Sequence, residues 1–357
     1  MPAFRTLAPY YYDWLAHPDY DTYWTRVDVE ERYANVSVPV LNTGGWYDVF
    51  AVGTVRNFVG LRTKASSAEA RERTKLVMAC CGHTRTQGLI DWGPKAQTFD
   101  ETLTVRWFDH YLKGAENGID EEPNVQLFVM VPPDTGTAGS GFYLAADQYP
   151  LPGTVPTRFY LHSGGDANTR HGDGRLSRES SMGLPDRFTY NPLDPVPTMG
   201  GNLCCGDFLM RGALDQSTVE LRDDVLVYTS QPLADDVVVI GPVSVTLWAS
   251  SSAPDTDFTA KLVDVHHDDI AHNVLDRIVR ARYRLGSKYP PSLITPEQVY
   301  EYTIDLGDTA TVFREGHRIR LEVSSSNFPH FDRNLNTGGR LGEDAEFVSA
   351  TQTIYHD

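Results

Sequence analysis

The spacing of apolar residues along this chain changes near residue 120. Before that point apolar residues come as short unbroken runs or at helical spacing. After it they come as short alternating runs between Gly, Pro, Asn and Asp clusters. A side-chain period of 3.6 buries a stripe on a helix and a period of 2 buries one face of a strand, so the two halves call for different architectures.

In the first half, Val36–Leu41 branches and alternates like a buried strand, expected to end at a turn over Thr43-Gly44-Gly45. Val55, Phe58, Val59 and Leu61 then fall at helical spacing, and Leu76–Cys81 is an apolar run short enough for a parallel strand buried on both faces. Phe99, Leu103, Trp107 and Tyr111 recur every four residues, with Gly114 placed to end a helix. Strand, helix, strand, helix is the signature of an α/β sheet. Ahead of it, residues 4–34 carry Tyr10, Tyr11, Tyr12, Trp14, Tyr20, Tyr23, Trp24 and Tyr33 and read as one or two short helices with Asp19 or Asp21 as caps.

From about residue 123 the runs are Val125–Val131, Thr157–Leu161, Val225–Thr229, Val237–Ile240, Val243–Ala249, Phe258–Val265, Val299–Ile304 and Ile319–Ser324. Short strands punctuated by turns predict an antiparallel sandwich or jelly roll. The boundary is expected at Gly114–Pro123, and the total of 357 residues suits two domains at roughly 150 residues each.

Charge narrows the partners. The chain has 48 acidic and 31 basic residues, a formal charge of −17, and no cluster of Lys and Arg to neutralise phosphates, which argues against nucleic acid. The most apolar stretches fall far short of the ~20 residues of a spanning helix, and Met1-Pro2-Ala3-Phe4-Arg5 opens no signal-peptide core. Four cysteines form two adjacent pairs, Cys80-Cys81 and Cys204-Cys205. Neighbouring strand side chains point to opposite faces, so these read as buried thiols of a reducing, cytoplasmic setting.

Two residues stand where chemistry is expected. Asp48 follows the first buried strand and His83 follows the second, 35 positions later. In an open α/β sheet ligands sit beyond the carboxyl ends of the strands. A carboxylate accepting from one ring nitrogen fixes the tautomer and leaves the other as a base. α/β-Hydrolases place their triad in the order Ser, Asp or Glu, His, and these two fit the last two positions. The nucleophile is missing: Ser37 is the single serine of residues 1–47 and sits in no Gly-x-Ser-x-Gly, while Gly139-Ser140-Gly141 has Ala138 and Phe142 at its outer positions.

A resemblance now joins these features. His17-Pro18 with Tyr23-Trp24, Pro39-Val40-Leu41 through Asp48, Gly82-His83, and Trp107-Phe108-Asp109 with Tyr111-Leu112-Lys113-Gly114 match one family. So do Tyr190-Asn191-Pro192 with Asp194–Pro197, Asp223–Leu226, Asp255–Leu262, and Ser324–Pro329 with Asp332-Arg333-Asn334. The chain resembles the C-terminal part of the cocaine esterase / Xaa-Pro dipeptidyl-peptidase (CocE/NonD) serine hydrolases. The resemblance implies the C-terminal portion of an α/β-hydrolase with the end of a helical cap, followed by an all-β jelly-roll sandwich domain. It divides the chain into the end of the cap over 1–34, the part of the hydrolase domain carrying Asp and His over 35–120, and the jelly roll over 121–357.

The same resemblance implies that Asp48 is the triad acid and His83 the triad base, and that Phe50 lines the substrate pocket; Trp46 sits close enough to be expected to do similar work. It implies hydrolysis of a small-molecule ester, an amide or a short peptide through an acyl-serine, with no metal or organic cofactor. Family members carry their first strands and nucleophile ahead of the cap, so the chain is expected to be an N-terminally truncated piece, inactive alone, with residues 1–120 marginally stable. The rival reading is a non-catalytic jelly-roll module binding carbohydrate or protein; it expects no Asp48–His83 contact.

Three other groups have plainer readings. His266-His267-Asp268-Asp269 with His272 is expected to form a solvated hairpin turn and not a metal cluster. Asp255 and Asp257 are expected to make loop hydrogen bonds rather than a calcium cage. Ser324-Ser325-Ser326-Asn327 reads as edge and interdomain hydrogen bonding.

Overall fold

The N-terminal aromatics form three short helices, α1 (Pro2–Leu7), α2 (Pro9–Ala16) and α3 (Thr22–Thr25). Asp21 caps α3 by accepting the Tyr23 N–H at 2.8 Å. In this computed structural model residues 2–83, 88–97, 100, 102–134, 138–204 and 209–356 are described. Phe99, the first of the helical-spacing series, and Cys205 lie outside them.

The first sheet has the order β1-β2-β3-β4. Its strands are β1 (Leu41–Tyr47), β2 (Lys75–Gly82), β3 (Val125–Val129) and β4 (Phe142–Ala146). β1, β2 and β3 run parallel and β4 antiparallel. The long helix α4 (Ala51–Lys64) and the short α5 (Ala68–Arg73) cross from β1 to β2, and α6 (Leu103–Lys113) precedes β3. Gly114 closes α6 with φ 68°, a left-handed conformation that glycine adopts without a Cβ clash. Val55 and Phe58 of α4 pack on Trp46, Leu76, Met78, Leu127 and Phe128 of the sheet.

β1 differs from its sequence reading. It begins at Leu41, where the run was expected to end, and continues through the supposed turn. The reason is close approach: a Cβ on Gly45 would stand 2.0 Å from the Cys81 carbonyl oxygen of the neighbouring strand. Glycine is here a strand residue that lets two backbones meet. The cysteine expectation also fails. Gly45 pairs with Ala79 and Tyr47 with Gly82, so β2 carries one residue more than β1 over this interval. The bulge breaks the alternation, and Cys80 and Cys81 are joined in a disulfide; Cys204 is disulfide-bonded as well.

The rest of the chain forms two further sheets. The six-stranded sheet has the order β11-β10-β13-β8-β6-β5 and the four-stranded one β12-β9-β14-β7. Their strands are β5 (Tyr160–His162), β6 (Arg175–Ser177), β7 (Asp186–Tyr190), β8 (Leu226–Thr229) and β9 (Val237–Ser251). β10 (Asp257–Val265), β11 (Ala271–Arg280), β12 (Tyr300–Phe313), β13 (Arg318–Ser324) and β14 (Ala350–Tyr355) complete them. Tyr228, Phe258, Leu262 and Leu321 of one sheet meet Leu247, Tyr302, Ile304 and Ile354 of the other in a single apolar core.

Several expected runs change partners. Val125–Val131 was grouped with the second half by its texture, yet β3 extends the first sheet beside β2. The two halves are also stitched together, because Met130 exchanges backbone hydrogen bonds with Ala310 and Val312. Val237–Ile240 and Val243–Ala249 belong to one strand that runs through Gly241 at φ 141°. Asp255 and Asp257 make buried ion pairs rather than loop contacts: Asp257 receives both Arg280 Nε and Nη2, Asp255 receives Arg282 Nε, and Asn334 donates to each. The serine run leaves an interior strand, not an edge, with the Ser324 hydroxyl on the Asp224 carbonyl and Ser326 Oγ accepting from the Val196 N–H. Among the described residues no helix is long and apolar enough to cross a membrane.

Candidate active site

The register of β1 on β2 decides the site. Tyr47 stands opposite Gly82 in a parallel pair, so the next residue of each strand, Asp48 and His83, emerges at the same edge. Parallel neighbours are ~4.8 Å apart, and the side chains that leave them can therefore touch. His83 Nδ1 lies 3.2 Å from Asp48 Oδ2 and 3.3 Å from Oδ1. The acid is the more sheltered partner, 15% exposed at its side chain against 37% for the imidazole.

Asp48 is held on every side. Its N–H donates to the Gly45 carbonyl at 2.9 Å, its carbonyl accepts from Ala51 at 3.0 Å, and Oδ1 accepts the Phe50 N–H at 3.0 Å. The last contact joins it to the start of α4, where unpaired N–H groups favour a negative charge. Flanking residues clamp the strand end. Trp46 donates its indole N–H to the Phe128 carbonyl at 2.7 Å, and the Tyr47 hydroxyl donates to the Asn273 carbonyl at 2.8 Å. Burial pushes the Tyr47 phenol well above its ordinary range, so it stays a donor.

The expected pocket residues part company. Phe50 is exposed, and its ring meets that of His83 edge-on, with centroids 5.4 Å apart at 69°. Trp46 is 1% exposed and packs into the core of the first sheet. Sequence reasoning missed Asn202. Buried and 154 positions from the acid, its Nδ2 donates to the Asp48 carbonyl at 3.3 Å and to that of Trp46 at 3.4 Å. Nothing local to Gly200-Gly201-Asn202 announces that contact.

A base oriented by a carboxylate can take a proton from a nucleophile at Nε2 and return it to a leaving group, which is the acid–base half of acyl transfer. A mostly parallel sheet flanked by helices and joined to a β-sandwich, with an Asp–His contact at adjacent strand ends, defines the class of α/β folds that carry a β-rich domain. Two family models match it: the X-Pro dipeptidyl-peptidase C-terminal non-catalytic domain over residues 117–357, and the X-Pro dipeptidyl-peptidase (S15 family) over residues 3–85. Cocaine esterase of a Rhodococcus species is 39% identical across 99% of this chain and 61% of its own length. A putative Xaa-Pro dipeptidyl-peptidase of Rhodopirellula baltica is 23% identical across 86% of this chain and 43% of its own. An α-amino acid ester hydrolase superposes with TM-score 0.81 at 22% identity, covering 99% of this chain and 59% of that one. The chain belongs to the cocaine esterase / X-Pro dipeptidyl-peptidase (CocE/NonD) family. It spans 61% of the esterase and less than half of the other curated relatives it matches.

Proposed function

We propose that Asp48 and His83 are the acid and base of a serine hydrolase triad that cleaves an ester, an amide or an Xaa-Pro peptide through an acyl-serine. The observation that carries this reading is their contact at the ends of adjacent parallel strands. The binding-module reading has no use for such a pair. In the proposed cycle His83 takes the serine proton as the hydroxyl attacks the carbonyl and delivers it to the leaving group, then activates water to release the acid. Asp48 holds the ring and stabilises the imidazolium. Phe50, edge-on to that ring, forms part of the wall for the acyl group. Acyl transfer of this kind calls for neither metal nor organic cofactor.

The division proposed with it is a cap segment over 1–34, a hydrolase segment over 35–120 and a jelly roll over 121–357, whose β3 and β4 complete the hydrolase sheet. No Gly-x-Ser-x-Gly occurs among the 357 residues, so the reading needs a serine from outside them. Sequencing and expressing the gene with the DNA upstream of the Met1 codon tests this. The expected product contains the elbow and hydrolyses p-nitrophenyl acetate; His83→Ala or Asp48→Asn lowers its kcat by about 10⁴-fold, while Met1–Asp357 alone shows no turnover. Turnover by the 357-residue chain that His83→Ala abolishes would show a nucleophile within it. Full activity after His83→Ala would end the triad assignment.

A further inference from the structure

A second cluster of ligating side chains lies outside the hydrolytic pair, at one end of the six-stranded sheet. β10 pairs with both β11 and β13, with Val265 opposite Ala271 on one side and Arg318 on the other. The turn between β10 and β11 is closed by His266 and Ile270, whose backbone N–H and carbonyl bond at 2.9 Å. That register gathers Asp264 at the end of β10, His266 in the turn, His272 at the start of β11 and His317 just ahead of β13. The expectation of a solvated turn therefore fails for His266 and His272, although His267 does face solvent. Asp264, His272 and His317 are all buried, His317 at 1% exposure.

The cluster is compact. His317 Nδ1 lies 3.0 and 3.2 Å from the two Asp264 oxygens, and His266 Nε2 lies 3.5 Å from Asp264 Oδ2. His272 Nδ1 is 3.3 Å from that same His266 Nε2. One atom each from Asp264, His266 and His317 fall within 4.8 Å of one another. Tetrahedral bonds of ~2.0–2.1 Å to nitrogen and oxygen put ligand atoms roughly 3.3 Å apart. Hydrogen bonds join Asp264 to His317 and His266 to His272, and His266 pairs with Asp264 at 3.5 Å, so three imidazoles gather around one buried carboxylate.

We propose that Asp264, His266 and His317 bind a divalent transition-metal ion of the zinc type, with His272 beside the fourth position. Two imidazoles and a carboxylate suit Zn²⁺ or Co²⁺ and not the all-oxygen shell that Ca²⁺ or Mg²⁺ prefers. The role is structural. An ion there ties together three strand ends next to Asn273, whose carbonyl holds Tyr47 and through it the segment bearing Asp48. It tethers a hairpin of the sandwich to the hydrolytic edge of the first sheet.

The test uses the untagged 357-residue chain stripped with EDTA and titrated with Co²⁺, then with Zn²⁺ in competition against a chromogenic chelator. One equivalent of Co²⁺ is expected to give the visible spectrum of a four-coordinate site, and Zn²⁺ is expected to displace it and raise Tm. His266→Ala, in the turn, weakens Zn²⁺ binding by at least about 100-fold, more than loss of an outer-shell partner costs. His267→Ala leaves binding unchanged and so separates the site from surface imidazoles. His317→Gln gives the same loss as His266→Ala where it folds. Absence of stoichiometric binding at micromolar metal overturns the proposal, and so does equal affinity in wild type and His266→Ala.

Discussion

Gly45→Ala and Gly53→Ala add the same methyl group and are expected to move stability in opposite directions. At Gly45 the new Cβ would lie 2.0 Å from the carbonyl oxygen of Cys81, 3.1 Å from its carbon and 3.4 Å from its nitrogen. Ordinary carbon–oxygen contact begins near 3.3 Å, so one strand has to retreat by roughly 1 Å. The atom in the way belongs to the backbone of β2, and no side-chain rotation relieves it. Forced overpacking of a tight interior typically costs 1–3 kcal/mol, and a backbone obstacle puts this case near the top, about 3 kcal/mol. Gly53 lies within α4 with nothing inside 4 Å of its Cβ, so alanine there gains about 0.5–1 kcal/mol of helix stability. Urea denaturation followed by tryptophan fluorescence reads both, since Trp46 is buried next to Gly45. A Gly45→Ala midpoint equal to wild type, or a loss at both positions, would refute the account of β1 as a strand held open by glycine.

Two other perturbations separate supporting residues from surface ones. Trp46→Phe keeps an aromatic ring but is smaller and leaves the buried Phe128 carbonyl without its indole donor, so a loss of at least about 1–3 kcal/mol is expected in thermal or chemical unfolding, whereas Phe50→Ala costs under about 0.5 kcal/mol because the ring is exposed. Burial pushes the Glu322 carboxyl from 4.5 up to about 7, with Lys261 opposing the shift and Glu220 adding to it. Between those values the folded chain keeps a proton that the unfolded chain has released, so this contribution is present at the acid end and is lost as pH rises through the window. The stability of wild type relative to Glu322→Gln is therefore expected to fall between pH 4.5 and about pH 7 in paired denaturation curves. A flat difference would show that Glu322 does not titrate there.

Much of the candidate site is legible in the sequence. The run Leu76–Cys81 and the helical spacing of Val55, Phe58 and Leu61 are local signals, because burial of one face repeats with the period of the element. Knowing where each strand ends locates Asp48 and His83 without knowing what pairs with what. The resemblance implies the roles proposed for them, and register Tyr47–Gly82 supplies the contact. What stayed hidden is long-range. Asn202 reaches Asp48 across 154 positions, and Asn273 reaches Tyr47 across 226. Asp264 meets His317 across 53, and β3 joins β2 instead of the sandwich. Even local misreadings had distant causes: Gly44-Gly45 looked like a turn until the neighbouring backbone took up the space a side chain would need. Chain order alone determined the kinds of element and the identity of two candidate catalytic groups. Tertiary structure decided who stands beside whom, because hydrogen bonds and close contacts depend on separations in space that a one-dimensional pattern does not encode.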